Sequence, residues 1–160
     1  MAYFKNVLIT ELPSYNDLLK LVDRKNSGLI KYNLNEKIPI ESKYIGNVKE
    51  GVLNYLNSRL LIYDDYLDGQ FLAYDTDFTM LNNYGMIHYQ DPRPFYAICT
   101  TVIMLRLNKG DKIKGMAKMI SKKHCCTLVY GCVQASVRFP EAYNDYVFSG
   151  LSVGTQIRFR

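Results

Sequence analysis

The stretch that decides the fold is residues 109–137, KGDKIKGMAKMISKKHCCTLVYGCVQASV. Asn108, Lys109, Gly110 and Asp111 make a turn. It opens a strand in which Ile113, Gly115, Ala117 and Met119 face one way and Lys112, Lys114 and Lys118 the other. Strict alternation of apolar residues with lysine describes a half-buried strand with one wet, basic face. Ser121, Lys122, Lys123 and His124 break the pattern, a second apolar strand follows at 125–130, and Gly131 turns it into a third at 133–137. Three such strands on short links are the start of a small Greek-key barrel of the OB type, a fold whose exposed sheet binds oligonucleotides.

Charge separates this region from what precedes it. Residues 109–160 hold nine Lys or Arg against three acids, a net of +6, and residues 1–108 hold eleven against twelve, a net of −1. A basic unit behind a near-neutral one suits contact with a polyanion by the first and a different task for the second. With 48% apolar residues and 14 Tyr and 7 Phe in 160 positions, the chain has enough material for a core, and 22% charged residues excludes a solvated, disordered class. The longest apolar run, CTTVIML at 99–105, is strand-sized and β-branched, so no membrane span is expected. The first residues, MAYFKNVLIT, lack the pattern of a signal peptide, and Cys99, Cys125, Cys126 and Cys132 are expected to stay reduced.

Upstream, Ser14 reads as an N-cap with Asp17 three residues on, and Leu18, Leu19, Leu21 and Val22 continue a helix to about Arg24. Residues 29–34 read as a strand, 35–37 as a turn, and 38–40 as a short extended piece with Pro39 on an edge. The clearest helix spans 48–63: Val48, Val52, Leu53, Leu56, Leu60 and Tyr63 lie on one side, and Gly69 closes the element. Strands follow at 71–74, 78–81, 86–89 and 96–107. They are separated by turns at Asn82, Asn83, Tyr84 and Gly85 and at Asp91, Pro92, Arg93 and Pro94. A helix followed by antiparallel strands gives an α+β unit over 1–108, and the barrel occupies 109–160. The last strand, at 156–160, leaves a five-stranded barrel one strand short, so the barrel is expected to be incomplete: either another chain supplies the strand or the barrel stays open.

Candidate chemistry is sparse. His124, Cys125, Cys126 and Cys132 lack the paired spacing of a zinc site, and adjacent cysteines on a strand point to opposite faces. His124 beside Cys125 is no nucleophile pair for the same reason. No phosphate-cradling glycine loop is present, because Gly110-x4-Gly115 lacks the Lys-Ser/Thr ending. No catalytic residue, metal or cofactor is therefore expected. The candidate nucleic-acid surface is Lys112, Lys114, Lys118, Lys122 and Lys123, with Tyr130 as a stacking platform.

Residues 121–137, SKKHCCTLVYGCVQASV, resemble the S-x-S-H-I-G-x-L-V-H-G-x-F-N-A-S-I signature of the larger stalk subunit of eukaryotic RNA polymerase I. That family is shared with the stalk subunits of polymerases II and III and the archaeal E subunit. Upstream, Gly51, Val52 and Leu53, then Gly69 with Leu72, Ala73, Tyr74 and Asp75, are similar to the family's helix and G-x-x-L-A-Y-D strand. Ile38, Pro39, Ile40, Tyr44 and Ile45 resemble its lead into the helix, and the Gly110-Asp111 turn its domain junction. Cys125 and Cys126 stand where the family has Ile-Gly, and Tyr130 where it has His.

The resemblance implies a non-catalytic subunit: a tip domain (1–108) docking on the polymerase core near the clamp and RNA exit, then an OB/S1-like barrel (109–160). It implies as partners the largest and other core subunits of polymerase I, an initiation factor for ribosomal RNA transcription, a smaller stalk subunit and nascent RNA, in the nucleus and nucleolus. Asn82, Asn83, Tyr84, Gly85, Asp91 and Arg93 are the candidate core-docking residues, because Asn, Tyr and Arg at loop tips suit an interface. The rival readings are a polymerase II or III stalk subunit and a free-standing RNA-binding OB protein.

Overall fold

The computed structural model describes residues 12–121, 123–139 and 151–160. Two compact units divide the chain: one holds residues 14–24 and 29–106, the other residues 25–28 and those from 107 onward. The described residues are mostly β with two α-helices, in line with the α+β expectation.

The first unit is built around β6 (Asp91–Leu105), a 15-residue strand at the centre of a six-stranded antiparallel sheet. β1 (Leu29–Pro39) runs along one side of it, from Leu29 opposite Leu105 to Pro39 opposite Phe95. The other side is taken in turn by β5 (Met86–His88), β4 (Thr79–Met80) and β3 (Gly69–Tyr74), with β2 (Tyr63–Asp64) outside β3. Paired residues share a face, so Leu34, Ile38, Ile98, Val102, Met104 and Phe71 line one side. Val52 and Leu56 of α2 (Val48–Arg59) pack on that side, with Ile40, as the buried core. Gly51 lets the helix approach: a Cβ there would lie 2.7 Å from Ile40 Cγ2 and 3.0 Å from Tyr44 Cβ. α1 (Tyr15–Val22) is capped as its sequence indicates, the Asp17 amide donating to Ser14 Oγ at 3.2 Å, and it buries Leu18.

Three expectations are corrected here. Residues 35–37 are no turn: β1 is continuous, because Asn35, Glu36 and Lys37 pair with Cys99, Ile98 and Ala97. α2 stops at Arg59 rather than Tyr63, and Gly69 begins β3 instead of ending a helix. Leu61 turns to φ +64° and donates its amide to the Phe71 carbonyl at 2.7 Å, so pairing with β3 replaces the next helical turn. The stretch 91–94 is strand; the turn is Tyr89-Gln90, since His88 pairs with Asp91.

The second unit is a four-stranded antiparallel sheet in the order β10-β7-β8-β9: β7 (Ile113–Ile120), β8 (His124–Val129), β9 (Val133–Arg138) and β10 (Gln156–Phe159). Three consecutive strands with a fourth returning beside the first is the Greek-key order. Tyr130 (φ +52°) and Gly131 (φ +76°) make the tight β8–β9 link, both central residues left-handed as a twist-matched hairpin turn demands. The expected alternation along β7 holds for Ile113, Gly115 and Ala117, which are buried, and fails at Met119, which is exposed. A register shift between Ala117 and Met119 is the cause: Lys118 is the extra residue of a bulge, and beyond it the two faces exchange.

Candidate docking and nucleic-acid surfaces

The loop between β4 and β5 and the β5–β6 hairpin form one exposed end of the first unit. Asn83 and Tyr84 are exposed, Asn82 and Gly85 half-buried. Around them stand Tyr84 at 65%, Ile87 at 69% and Tyr89 at 106% relative exposure, with Leu81 also exposed. Large apolar side chains gathered at a rigid loop end make it the candidate docking surface. The rigidity has visible causes. The Leu81 amide donates to the Ala97 carbonyl at 2.8 Å, and His88 packs edge-on against Phe95 at 4.8 Å. Gly85 sits where a Cβ would come within 2.8 Å of Pro94 and 2.9 Å of the Tyr96 ring.

Asp91 and Arg93 are paired with each other. Arg93 donates its amide at 3.0 Å and Nε at 2.9 Å to Asp91 Oδ1, and its terminal nitrogen at 2.6 Å to Oδ2. These side-chain and backbone bonds hold the Asp91 carboxyl at about 2. Sequence reasoning chose the polar members of this end and missed Leu81, Ile87 and Tyr89. For Ile87 and Tyr89 the signal was alternation in MIHY, which reads as a half-buried strand until β5 proves to be three residues long.

On the second unit, Lys112 and Lys114 are exposed, Lys118 is half-buried at the bulge, and Lys123 is exposed with its carbonyl accepting the Phe139 amide at 2.9 Å. Lys122 lies outside the described residues. Lys114 pairs directly with Arg158 of β10, and Met116 with Gln156. Both cations of the first pair are exposed, and like charges directly opposite on neighbouring strands repel. A polyanion bound there would relieve that repulsion. Arg158 was not singled out from sequence, because its register against Lys114 depends on the return of a distant strand. Tyr130 is half-buried, its hydroxyl donating to the Ser27 carbonyl, and burial pushes its pKa up.

Cys125, Cys126 and Cys132 are buried free thiols, and burial raises the pKa of Cys125 and Cys132. Among the described residues no group of three or more His, Cys, Asp or Glu side chains gathers as metal ligands would. No helix among them is long and apolar enough to cross a membrane.

No protein-family model matches the chain. Curated relatives do. The chain is 28% identical over 150 residues to the DNA-directed RNA polymerase I subunit RPA43 of Danio rerio, covering 92% of this chain and 38% of that one. It is 26% identical over 151 residues to the mouse (Mus musculus) subunit of the same name and 28% identical over 151 residues to the human (Homo sapiens) one. Each of these two matches covers 93% of this chain, with 46% and 44% of the relatives covered. The chain thus spans less than half the length of these relatives. They bear out the family resemblance read from residues 121–137 and from the helix and strand upstream.

Proposed function

We propose that this chain is a stalk-type subunit of DNA-directed RNA polymerase I and works by docking rather than by catalysis. The observation that carries the reading is similarity running through both units, over 92–93% of the chain, to relatives that bear that subunit's name. The physical picture agrees with it. The first unit ends in a stiff loop presenting Tyr84, Ile87 and Tyr89, the aromatic and aliphatic anchors that dominate protein interfaces. Residues 1–108 form the tip domain, and the loop at 81–93 seats it on the core, close to the largest subunit. Residues 109–160 form an OB/S1-like barrel, of which the Greek-key sheet supplies four strands. The protein acts in the nucleus, and within it the nucleolus. An initiation factor and a smaller stalk subunit are the remaining partners of this reading.

A second activity is favoured by the opposed cations Lys114 and Arg158: contact between this sheet and nascent RNA. In this reading Lys112, Lys114, Lys118, Lys122 and Lys123 follow the phosphates.

Affinity purification of the tagged chain from its own cells tests the assignment. The largest subunit of polymerase I is expected in the eluate, in excess over those of polymerases II and III. Enrichment of either of the latter, or recovery free of any large polymerase subunit, would sink it.

A further inference from the structure

A second group of exposed apolar side chains lies on the β2–β3 hairpin: Ile62, Tyr63 and Tyr66, the last at 101% relative exposure. β2 lies outside β3, and β3 pairs through Gln70 with Leu105 at the far end of β6; the loop at 81–93 pairs near Pro94. Eleven residues of extended strand separate the two, roughly 37 Å, so the patches are distinct.

The hairpin is held from both sides. Arg59 bonds the Asp64 carboxylate, and Asp64 Oδ1 accepts the Tyr66 and Leu67 amides at 3.0 Å each. Arg106 donates to the Asp68 carbonyl at 2.8 Å and also to the Leu67 carbonyl. Gln70 Nε2 donates to the Leu61 carbonyl at 2.8 Å, and the Tyr63 hydroxyl to the Asp68 carboxylate at 2.5 Å. Leu61 (φ +64°) and Asp68 (φ +49°) are non-glycine residues in the left-handed region, one on each flank. Such conformations persist where the surroundings over-determine them. Together with the side-chain bonds they fix the backbone of the turn, the Tyr66 amide included.

Charge says what the knob meets. Three aspartates stand against two arginines, and the hairpin itself engages both arginines: Arg59 bonds Asp64, and Arg106 bonds the Leu67 and Asp68 carbonyls and pairs with the Asp68 carboxylate at 3.6 Å. Asp65, exposed beside Tyr66, is left as the surplus negative charge. Surplus negative charge beside an aromatic anchor disfavours nucleic acid and anionic lipid. We propose that this hairpin is a preorganised docking knob for a second folded polypeptide, whose receiving surface is an apolar pocket edged by Lys or Arg. Tyr66 is the anchor, Ile62 and Tyr63 flank it, and Asp65 meets the basic edge.

The inference stands apart from the polymerase assignment, because co-purification tests that reading and crosslinking tests this one. A photoreactive phenylalanine derivative is placed at position 66 of the full chain in living cells, with the same derivative at the exposed position Asn54 on α2 as control. The expected result is one polypeptide crosslinked from 66 and not from 54, its attachment peptide containing Lys or Arg. Asp65→Lys and Ile62→Glu, both at exposed positions, each reduce the yield about fivefold or more. Crosslinks no stronger than from 54, attachment to nucleic acid, or a yield indifferent to Asp65→Lys overturns the proposal.

Discussion

Arg59→Met isolates the interaction on which the first unit's α2–sheet junction turns. Methionine keeps an unbranched stem against Phe71 and Tyr55, whose ring centres lie 5.4 and 5.9 Å from the Arg59 guanidinium carbon, and removes the charge together with its hydrogen-bond donors. Arg59 joins three elements: its guanidinium bonds Glu36 of β1 at 2.5 Å and Asp64 of β2 while its backbone ends α2. The Arg59 and Asp64 side chains are 19% and 16% exposed, so that bond is close to a buried charge-assisted hydrogen bond, worth about 2 kcal/mol. Glu36 is 34% exposed and rehydrates once released, which leaves its bond about 0.5–1 kcal/mol. The expected loss is therefore about 2–3 kcal/mol, read by urea unfolding at pH 7.

The loss depends on pH. Burial pushes the Asp64 carboxyl up, but the Leu67 amide, Arg59 and the Tyr66 amide outweigh it and hold it below the usual carboxylate range. A carboxyl that titrates lower in the folded state stabilises fully above its unfolded value of about 3.9, and that contribution disappears as pH falls through the folded one. The difference between wild type and Arg59→Met should narrow as pH drops below about 4. A difference under about 1 kcal/mol at pH 7, or one unchanged from pH 7 to pH 3, would refute the reasoning.

Gly51→Ala gains about 1 kcal/mol of helix propensity but drives a Cβ to 2.7 Å from Ile40 Cγ2. Overpacking costs about 1–3 kcal/mol, so a lower melting temperature is expected, and a rise would show that Ile40 yields freely. Tyr84→Ala with Ile87→Asp, at exposed positions, should leave the melting curve unchanged and reduce recovery of polymerase subunits about tenfold or more. The Asp91 carboxyl should titrate at about 2 by NMR and move up in Arg93→Gln; no movement would remove Arg93 as the cause. Lys114→Glu with Arg158→Glu should weaken binding of single-stranded RNA and flatten its log–log salt dependence by about 1.4, at about 0.7 per phosphate contact. An unchanged slope would place the RNA elsewhere.

Local chemistry was legible wherever one residue type answers one backbone need. Ser14 with Asp17 gave the first helix start, Gly131 the β8–β9 turn, and Lys112 to Ala117 the face of β7. What escaped was decided by pairing. Asn35, Glu36 and Lys37 have turn composition, yet β6 offers an unbroken ladder opposite them. Leu60, Leu61 and Ile62 continue a helical period, yet β3 claims the Leu61 amide. A bulge at Lys118 is invisible to an alternation count, and it alone moves Met119 outward. The candidate sites divide in the same way. Polar loop residues could be chosen by type, whereas the exposure of Ile87 and Tyr89 and the opposition of Lys114 to Arg158 are known only from register.

The central claim is that the loop at 81–93 seats this protein on polymerase I. A density map of polymerase I purified through the tagged chain measures it directly. The account predicts Tyr84, Ile87 and Tyr89 buried against a core subunit. The same side chains facing solvent in a complete, well-resolved complex would contradict it.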